Sequence, residues 1–515
     1  MKAKLTVLSS DGDRVLFADS GERVLDVLDA AGISVYAPCG GAGICGGCRA
    51  KITGKIECDP READFLCEND TADDIHLMCM TRISGDAEID LRGRGITAET
   101  DGIASEYVLS PLSEGKYGIA VDIGTTTVAV YLCSLCDGKI IAAESMLNPQ
   151  SSYGADVISR IDAVNCGRTS LECQRKAVIS AINEKTARLC ERAGTAPDEI
   201  SAAAVCGNTV MEHFLCGLDP SGIAVYPFTP KSLFGETVTA EKLGLEIQPK
   251  APVLISPCVA SYVGGDISCG FSVLPEYAGD FLYIDIGTNG EEVLSRGGRL
   301  YACSAAAGPA LEGARLSRGM AGETGAVCRV CESDGEIICD TIKNAPPRGI
   351  CGSGAIDALA AARRLDAVDE TGRMIDGEYT ENIGGERAFI IDKEHGIYLT
   401  QSDVRQIQLA KAAICAGAKT LADMSGAALS EIKIIVAGGF GAHIDASSAV
   451  EIGLLPRTDM KNISFVGNAA GMGAAGLLLS GDIRRKASEF CRVTEYIELS
   501  QSKIFAEHYI DEMGF

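Results

Sequence analysis

Two short segments constrain this chain more than any other feature. "YGIAVDIGTTTVAVYL" starts at Tyr117 and "FLYIDIGTNGEEVLSR" starts at Phe281. Each is an apolar run, an aspartate, Ile-Gly-Thr, then a polar turn into a second strand. Asp122 and Asp285 stand 163 positions apart, so the repeat has domain size and implies two similar lobes. A strand ending in an aspartate can hold a water-coordinated Mg²⁺. The Gly and Thr that follow turn N–H and hydroxyl groups towards phosphates. The glycine lets a phosphate oxygen come close to the backbone. One such turn is common in proteins with no ligand; two at domain spacing point to a cleft between lobes.

Further glycine turns follow. "KIIVAGGFGAHIDA" is a buried strand running into Gly438, Gly439 and Gly441, then a helix. Such a turn lets an adenine and ribose lie against the backbone. "GICGSGAIDALAA", around Gly352, Ser353 and Gly354, is a strand-like turn entering a helix, and "FVGNAAGMGAAG" repeats the device at Gly467 and Gly471. Close helix packing is the competing explanation for each. Taken with the repeat, these motifs resemble the actin-like ATPase superfamily (sugar kinases, acetate kinase, heat-shock chaperones and actin) over residues 117 to 480. The resemblance implies two RNase-H-like lobes with ATP between them. It makes Asp122–Thr127, with Gly124, Thr125, Thr126 and Thr127, the first phosphate loop. Asp285–Glu291, with Gly287, Thr288, Asn289 and Gly290, becomes the second, and Gly438–Gly441 the adenosine loop. Asp122 and Asp285 then position Mg²⁺ and water. Asp266 falls roughly where chaperone ATPases keep a catalytic carboxylate; a helix cap is the alternative. Asn208 lines the cleft or caps a turn, and His213 is a packing residue.

The N-terminal part carries different chemistry. "PCGGAGICGGC" supplies Cys39, Cys45 and Cys48, and Cys79 follows in "HLMCMTR". Three clustered thiolates plus one distant one suit a 2Fe-2S cluster. The loop glycines let the backbone curl and aim N–H groups at the sulfurs. "KLTVLS" and "RVLFAD" are strands joined by a turn, "ERVLDVLDAAG" is a helix ending at glycine, and "RAKITGKI" is a further strand. This is a β-grasp order, and residues 1 to about 92 resemble the 2Fe-2S ferredoxins, with a loop closer to the adrenodoxin type. Cys58 and Cys67 are read as non-ligands. The pairs Cys133/Cys136 and Cys328/Cys331 are read as structural.

The reading is thus an N-terminal β-grasp 2Fe-2S domain (1–92, α+β), a polar linker (93–116), ATPase lobes at 117–275 and 276–480 (α/β), and a C-terminal extension (481–515). A ferredoxin domain fused to an actin-like ATPase resembles the reductive activators of corrinoid proteins. The stretches "LNPQSSYGADVISRI", "VCGNTVMEHFLCGLDP", "PCVASYVGGDISCG", "AAAGPALEGARLSRGM" and "YIELSQSKIFAEHYIDEM" extend that likeness along the chain. It implies ATP-dependent return of a methyltransferase corrinoid from Co(II) to Co(I), with a low-potential electron donor and a corrinoid protein as partners; a homodimer is compatible with it. The competing readings are an activator of 2-hydroxyacyl-CoA dehydratase type, a small-molecule kinase, and an electron-transfer module whose ATPase lobes only regulate docking.

Composition supports the exclusions. A net charge of −25 argues against nucleic acid and anionic membranes, which demand basic patches. The alternating start "MKAKLTVLSSDGDRVLFADS" lacks an apolar signal core, and no run approaches the ~20 apolar residues of a membrane span. A cytoplasmic protein is expected, its 22 cysteines being thiols or ligands rather than disulfides. Serine at Cys39, Cys45, Cys48 or Cys79 is expected to weaken or abolish the visible absorbance of the cluster. Cys58→Ser and Cys67→Ser should leave it intact. Full colour in a Cys79→Ala protein would refute the ligand set.

Overall fold

The computed structural model describes residues 2–9, 13–31, 33, 48–64, 66, 74–91, 107–275, 279–333, 335–438 and 444–515. Cys39, Cys45, Cys67, Gly439 and Gly441 lie outside the described residues.

The N-terminal unit is a five-stranded sheet ordered β2-β1-β5-β3-β4: β1 Ala3–Leu8, β2 Arg14–Ala18, β3 Arg49–Cys58, β4 Ile75–Leu77 and β5 Thr81–Asp90. β1 pairs antiparallel with β2 and parallel with β5; β3 is antiparallel to β4 and β5. The period-2 pattern of β1 turns Ala3, Leu5 and Val7 inward. The helix Val24–Ala30 lays Val24, Leu25 and Leu28 in the same core. Each such fully buried side chain contributes about 1.5–3 kcal/mol. This is the expected β-grasp.

The body holds two six-stranded sheets. The first is ordered β10-β11-β9-β6-β7-β8, from β6 Tyr117–Ile123, β7 Thr127–Ser134, β8 Ile140–Leu147, β9 Ile200–Gly207, β10 Thr237–Thr239 and β11 Pro252–Ile255. The second uses β12 Phe281–Ile286, β13 Gly290–Arg296, β14 Arg299–Ala305, β21 Lys433–Ala437, β22 Ile463–Phe465 and β23 Thr494–Tyr496, in the order β22-β21-β12-β13-β14-β23. In both, three strands meander antiparallel and two more add parallel on the far side of the first. The sequence repeat is therefore a topological repeat. Central strands are apolar on both faces, as parallel neighbours require: all eight residues of β9 are buried. Two three-stranded sheets, β15 Ala326–Ser333, β16 Glu336–Thr341 and β17 Gly349–Ile350, and β18 Thr380–Ile383, β19 Glu386–Asp392 and β20 Ile397–Thr400, are inserted in the second half.

Two helices lie between the large sheets. Gly265–Ser272 sends Ile267 to a core with Tyr283 and Ile435, whereas Ala469–Leu479 packs Ala474, Leu477 and Leu478 on Ala120, Ala202 and Ala204 of the first sheet. They cross backbone to backbone: a Cβ on Gly473 would stand 2.3 Å from the Cys269 carbonyl carbon, and one on Gly471 2.2 Å from the Tyr131 hydroxyl. Gly471 is thus a packing residue.

At the C-terminus, β23 joins the second sheet parallel to β14, and the helix Lys503–Asp511 lies against the helix Gln401–Ser425, where Lys419 pairs with Glu512. Part of the expected linker is also held in place. The Ser110 N–H bonds Leu479 O at 2.9 Å and the Leu112 N–H bonds Leu478 O at 2.9 Å. An overlap of that size at Gly473 cannot be relieved by side-chain rotation. Gly473→Ala is expected to cost about 1–3 kcal/mol, read as a lower urea midpoint. Gly377→Ala, where a Cβ would meet nothing within 4 Å, should leave the midpoint unchanged.

Candidate functional sites: a thiol pair and an acidic cleft

In the N-terminal unit, Cys48 and Cys79 lie together in the core, 1% and 6% exposed. The Cys79 N–H points at Cys48 Sγ, 3.4 Å away, the kind of donor that stabilises thiolate sulfur in a cluster. The turn between β4 and β5 sets that spacing: the Met78 N–H bonds Cys48 O at 2.9 Å. The described half of the ligand set therefore fits a cluster. Cys58 is exposed at the end of β3.

The two Asp-Ile-Gly-Thr turns are hairpin ends, between β6 and β7 and between β12 and β13. They face one cleft of about 830 Å³. Of the expected site residues, the cleft gathers Asp122, Gly124, Thr125, Thr126, Thr127, Asn208, Asp266, Asp285, Gly287, Thr288, Asn289, Gly352, Ser353 and Gly438. Gly290 and Gly354 do not line it. A Cβ on Gly290 would strike Ile414 at 2.6 Å, and one on Gly354 would strike Val327 O at 2.2 Å, so close packing explains both. Gly438 has φ +95° and would meet Asp285 Oδ1 at 2.7 Å if it carried a Cβ, which ties its turn to the second hairpin.

Asn208 does two jobs. Its Oδ1 accepts from the Met211 N–H at 3.0 Å as the cap of helix Thr209–Cys216, and its Nδ2 donates to Thr125 Oγ1 at 3.0 Å. Asp266 is not a cap: Gly264 holds that position, and Asp266 sits in the first turn of its helix beside the cleft. His213 is a packing residue: Nδ1–H donates to Thr209 O at 2.6 Å, and Nε2 accepts from the Lys231 N–H at 3.1 Å. Cys133 is buried in the first sheet's core and Cys136 is exposed.

Sequence reasoning passed over three residues. Glu312 spans the hairpins: Oε2 accepts from Thr126 Oγ1 at 2.7 Å and Oε1 from Thr288 Oγ1 at 2.9 Å. Arg160, fully buried, braces the first hairpin from behind, donating to Thr125 O at 2.5 Å and Gly154 O at 3.0 Å. Burial lowers its pKa to about 9, so it stays charged at neutral pH. Asn468 caps the helix Ala469–Leu479 and donates to Asp122 Oδ2 at 3.2 Å and Tyr131 Oη at 3.1 Å. Asn468 stood within a quoted glycine motif and Glu312 within "GPALEG"; their long-range partners left no local signal.

The cleft is acidic. Its described lining holds Asp122, Asp266, Asp285, Glu291, Glu312, Asp357 and Asp445 against one basic side chain, Arg329. Enclosure raises the carboxyl pKa values: Asp122 to about 6, eased by Asn468 and Cys206, and Asp285 to about 7, with Asp122 adding repulsion. Asp266 rises through burial and then through the charge of Asp285. Hard oxygen donors that so outnumber the basic groups suit a divalent cation such as Mg²⁺.

Residues 8–84 match the model of the 2Fe-2S iron-sulfur cluster binding domain, 117–274 that of the RACo middle region, and 280–515 that of the C-terminal domain of RACo, the ASKHA domain. The chain is 35% identical over 411 residues to the corrinoid activation enzyme RamQ of Eubacterium limosum, covering 76% of this chain and 69% of that protein. It is 24% identical over 439 residues to the Co(II) methylated amine-specific corrinoid protein reductase of Methanosarcina barkeri, covering 78% and 77%. A solved structure of a reductive activator for corrinoid, iron-sulfur protein superposes with a TM-score of 0.73 at 31% identity, covering 99% of this chain and 98% of that one. With these matches spanning both halves, the chain belongs to the family of reductive activators of corrinoid proteins, in which a 2Fe-2S ferredoxin domain is fused to an ASKHA domain.

Proposed function

We propose that this chain couples ATP hydrolysis to the one-electron reduction of a corrinoid protein, returning Co(II) to Co(I) in a cobalamin-dependent methyltransferase system. The observation that carries the reading is the union, in one chain of this family, of the Cys48–Cys79 pair with an acidic cleft closed by two repeated hairpins. Cys39, Cys45, Cys48 and Cys79 would hold the 2Fe-2S cluster, which supplies a single low-potential electron. Asp122 and Asp285 would hold Mg²⁺, Asp266 would orient the attacking water, and Thr125, Thr126, Thr288 and Asn289 would bind phosphates.

The energetics give the ATPase a purpose. Ferredoxin-type clusters sit near about −400 mV, and each 100 mV uphill costs about 2.3 kcal/mol per electron. Differential binding of a nucleotide to two conformations supplies a few kcal/mol, enough to drive a modestly uphill transfer.

The test is asymmetric. Asp285→Ala is expected to keep the cluster absorbance yet hydrolyse ATP about 10²–10³-fold more slowly and leave Co(II) unreduced. Cys45→Ser should hydrolyse ATP and reduce no cobalt. Cobalt is followed by loss of the Co(II) absorbance band under anaerobic conditions. Corrinoid reduction by Asp285→Ala at the wild-type rate would remove ATP from the reaction. Phosphoryl transfer to a sugar or acid would favour a kinase.

A pH series tests the cleft carboxylates without nucleotide or metal. Their folded pKa values lie above the ordinary 3.8, so around pH 5 to 6 the folded protein keeps protons that the unfolded chain has released. Stability then falls as pH rises from about 4 through 7. Asp285→Asn should flatten this fall in urea midpoints taken at pH 5, 6, 7 and 8. An unchanged slope would show that Asp285 is ionised throughout.

A further inference from the structure

Besides the cleft and the cluster thiols, three side chains of metal-ligating type converge on one point. Cys58 ends β3, Glu62 lies in the turn Pro60–Asp64, and His76 is in β4. Cys58 Sγ is 3.2 Å from His76 Nδ1, and Nδ1 is 3.2 Å from Glu62 Oε2. The three donor atoms lie within 4.8 Å of one another.

The two Glu62 oxygens are used differently. Oε1 accepts from the Leu77 N–H and, at 3.4 Å, from Thr81 Oγ1. That accounts for Glu62 as a fastener between the turn and β4. Oε2 is turned from those donors towards His76. Neither is the trio a nucleophile relay. A relay places the thiol and the carboxylate on opposite ring nitrogens, whereas here both approach Nδ1. Without an ion, the His76 Nδ1–H and the Cys58 S–H can both donate to the Glu62 carboxylate.

What points to an ion is the convergence of a thiol, an imidazole and a carboxylate on one point. Tetrahedral zinc bonds of about 2.0–2.3 Å put neighbouring donors roughly 3.3–3.7 Å apart, close to the two separations seen. We infer that Cys58, Glu62 and His76 form a binding site for a divalent d-block cation of the Zn²⁺ type, its fourth position taken by water. Thiolate, imidazole and carboxylate together suit this ion better than Mg²⁺ or Ca²⁺. Cys58 is exposed and His76 half-buried, so the ion has an entry path. On binding, the Cys58 S–H bond gives way to a metal–sulfur bond and one proton leaves to solvent. The site would brace β4, which leads through Leu77 and Met78 to Cys79.

The test uses the full-length, cluster-loaded protein, exposed anaerobically to Zn²⁺ and then dialysed against zinc-free buffer. Elemental analysis should find one zinc per chain. Zinc-edge X-ray absorption, to which the cluster irons are silent, should report one sulfur at about 2.3 Å and nitrogen or oxygen at about 2.0 Å. Cys58→Ser and His76→Gln should each lower zinc affinity by at least about tenfold with the cluster absorbance unchanged. Failure of the wild-type protein to retain zinc, a shell of several sulfurs, or equal affinity in both variants would overturn the site.

Discussion

The two-lobed body rests on a helix crossing that leaves no space for side chains. Gly265–Ser272 and Ala469–Leu479 meet at Cys269 and Gly473, between the two large sheets, and no residue with a Cβ fits at Gly473 without moving backbone. Close-packed interiors do not deform continuously, so this crossing fixes how the halves sit. It also sets the chemistry of the cleft. Asn468 at the start of one helix binds Asp122, and Asp266 lies in the first turn of the other. One helix thus carries Asp266 and the other the amide that holds Asp122, so a small rotation about the crossing alters the setting of both carboxylates.

Glu312 adds a second link between the halves. Its carboxylate takes the hydroxyls of Thr126 and Thr288, one from each hairpin. On the proposed function, a phosphate bound at those hydroxyls would displace it. The displaced carboxylate would enter a cleft already crowded with negative charge, unless a cation accompanies the phosphate. On the proposed function, nucleotide and metal would arrive together, with Glu312 giving up both hydroxyls.

Much of this was legible in the sequence because it is local. The aspartate-turn repeat states its own hairpins, the alternation of "KLTVLS" states a half-buried strand, and the C-x5-C-x2-C loop with Cys79 states a cluster domain, later matched over residues 8–84. What stayed hidden is pairwise and distant. Glu312 lies 186 positions from Thr126 and Asn468 lies 346 from Asp122, and no periodicity encodes such meetings. Glycine was ambiguous for the same reason. Gly438 and Gly352 line the cleft, while Gly290, Gly354 and Gly471 make room for a neighbouring chain segment, and the two uses share one letter. Asp266 and Asn208 show the converse: each offered a cap or a cleft role, and Asn208 fills both because a side-chain amide can accept at one end and donate at the other.

The anchoring of residues 107–112 changes what the join between the halves is. Ser110 and Leu112 bond the last carbonyls of the helix Ala469–Leu479, and Arg484 grips Ser110 O at 2.8 Å. The strap to the N-terminal domain is therefore rooted on the very helix that forms the crossing, not on a passive surface. Whatever turns that helix also turns the root of the strap, as a crank turns its arm. Residues 107–112 thus move with the crossing helix, which places the start of the body under the control of its C-terminal half.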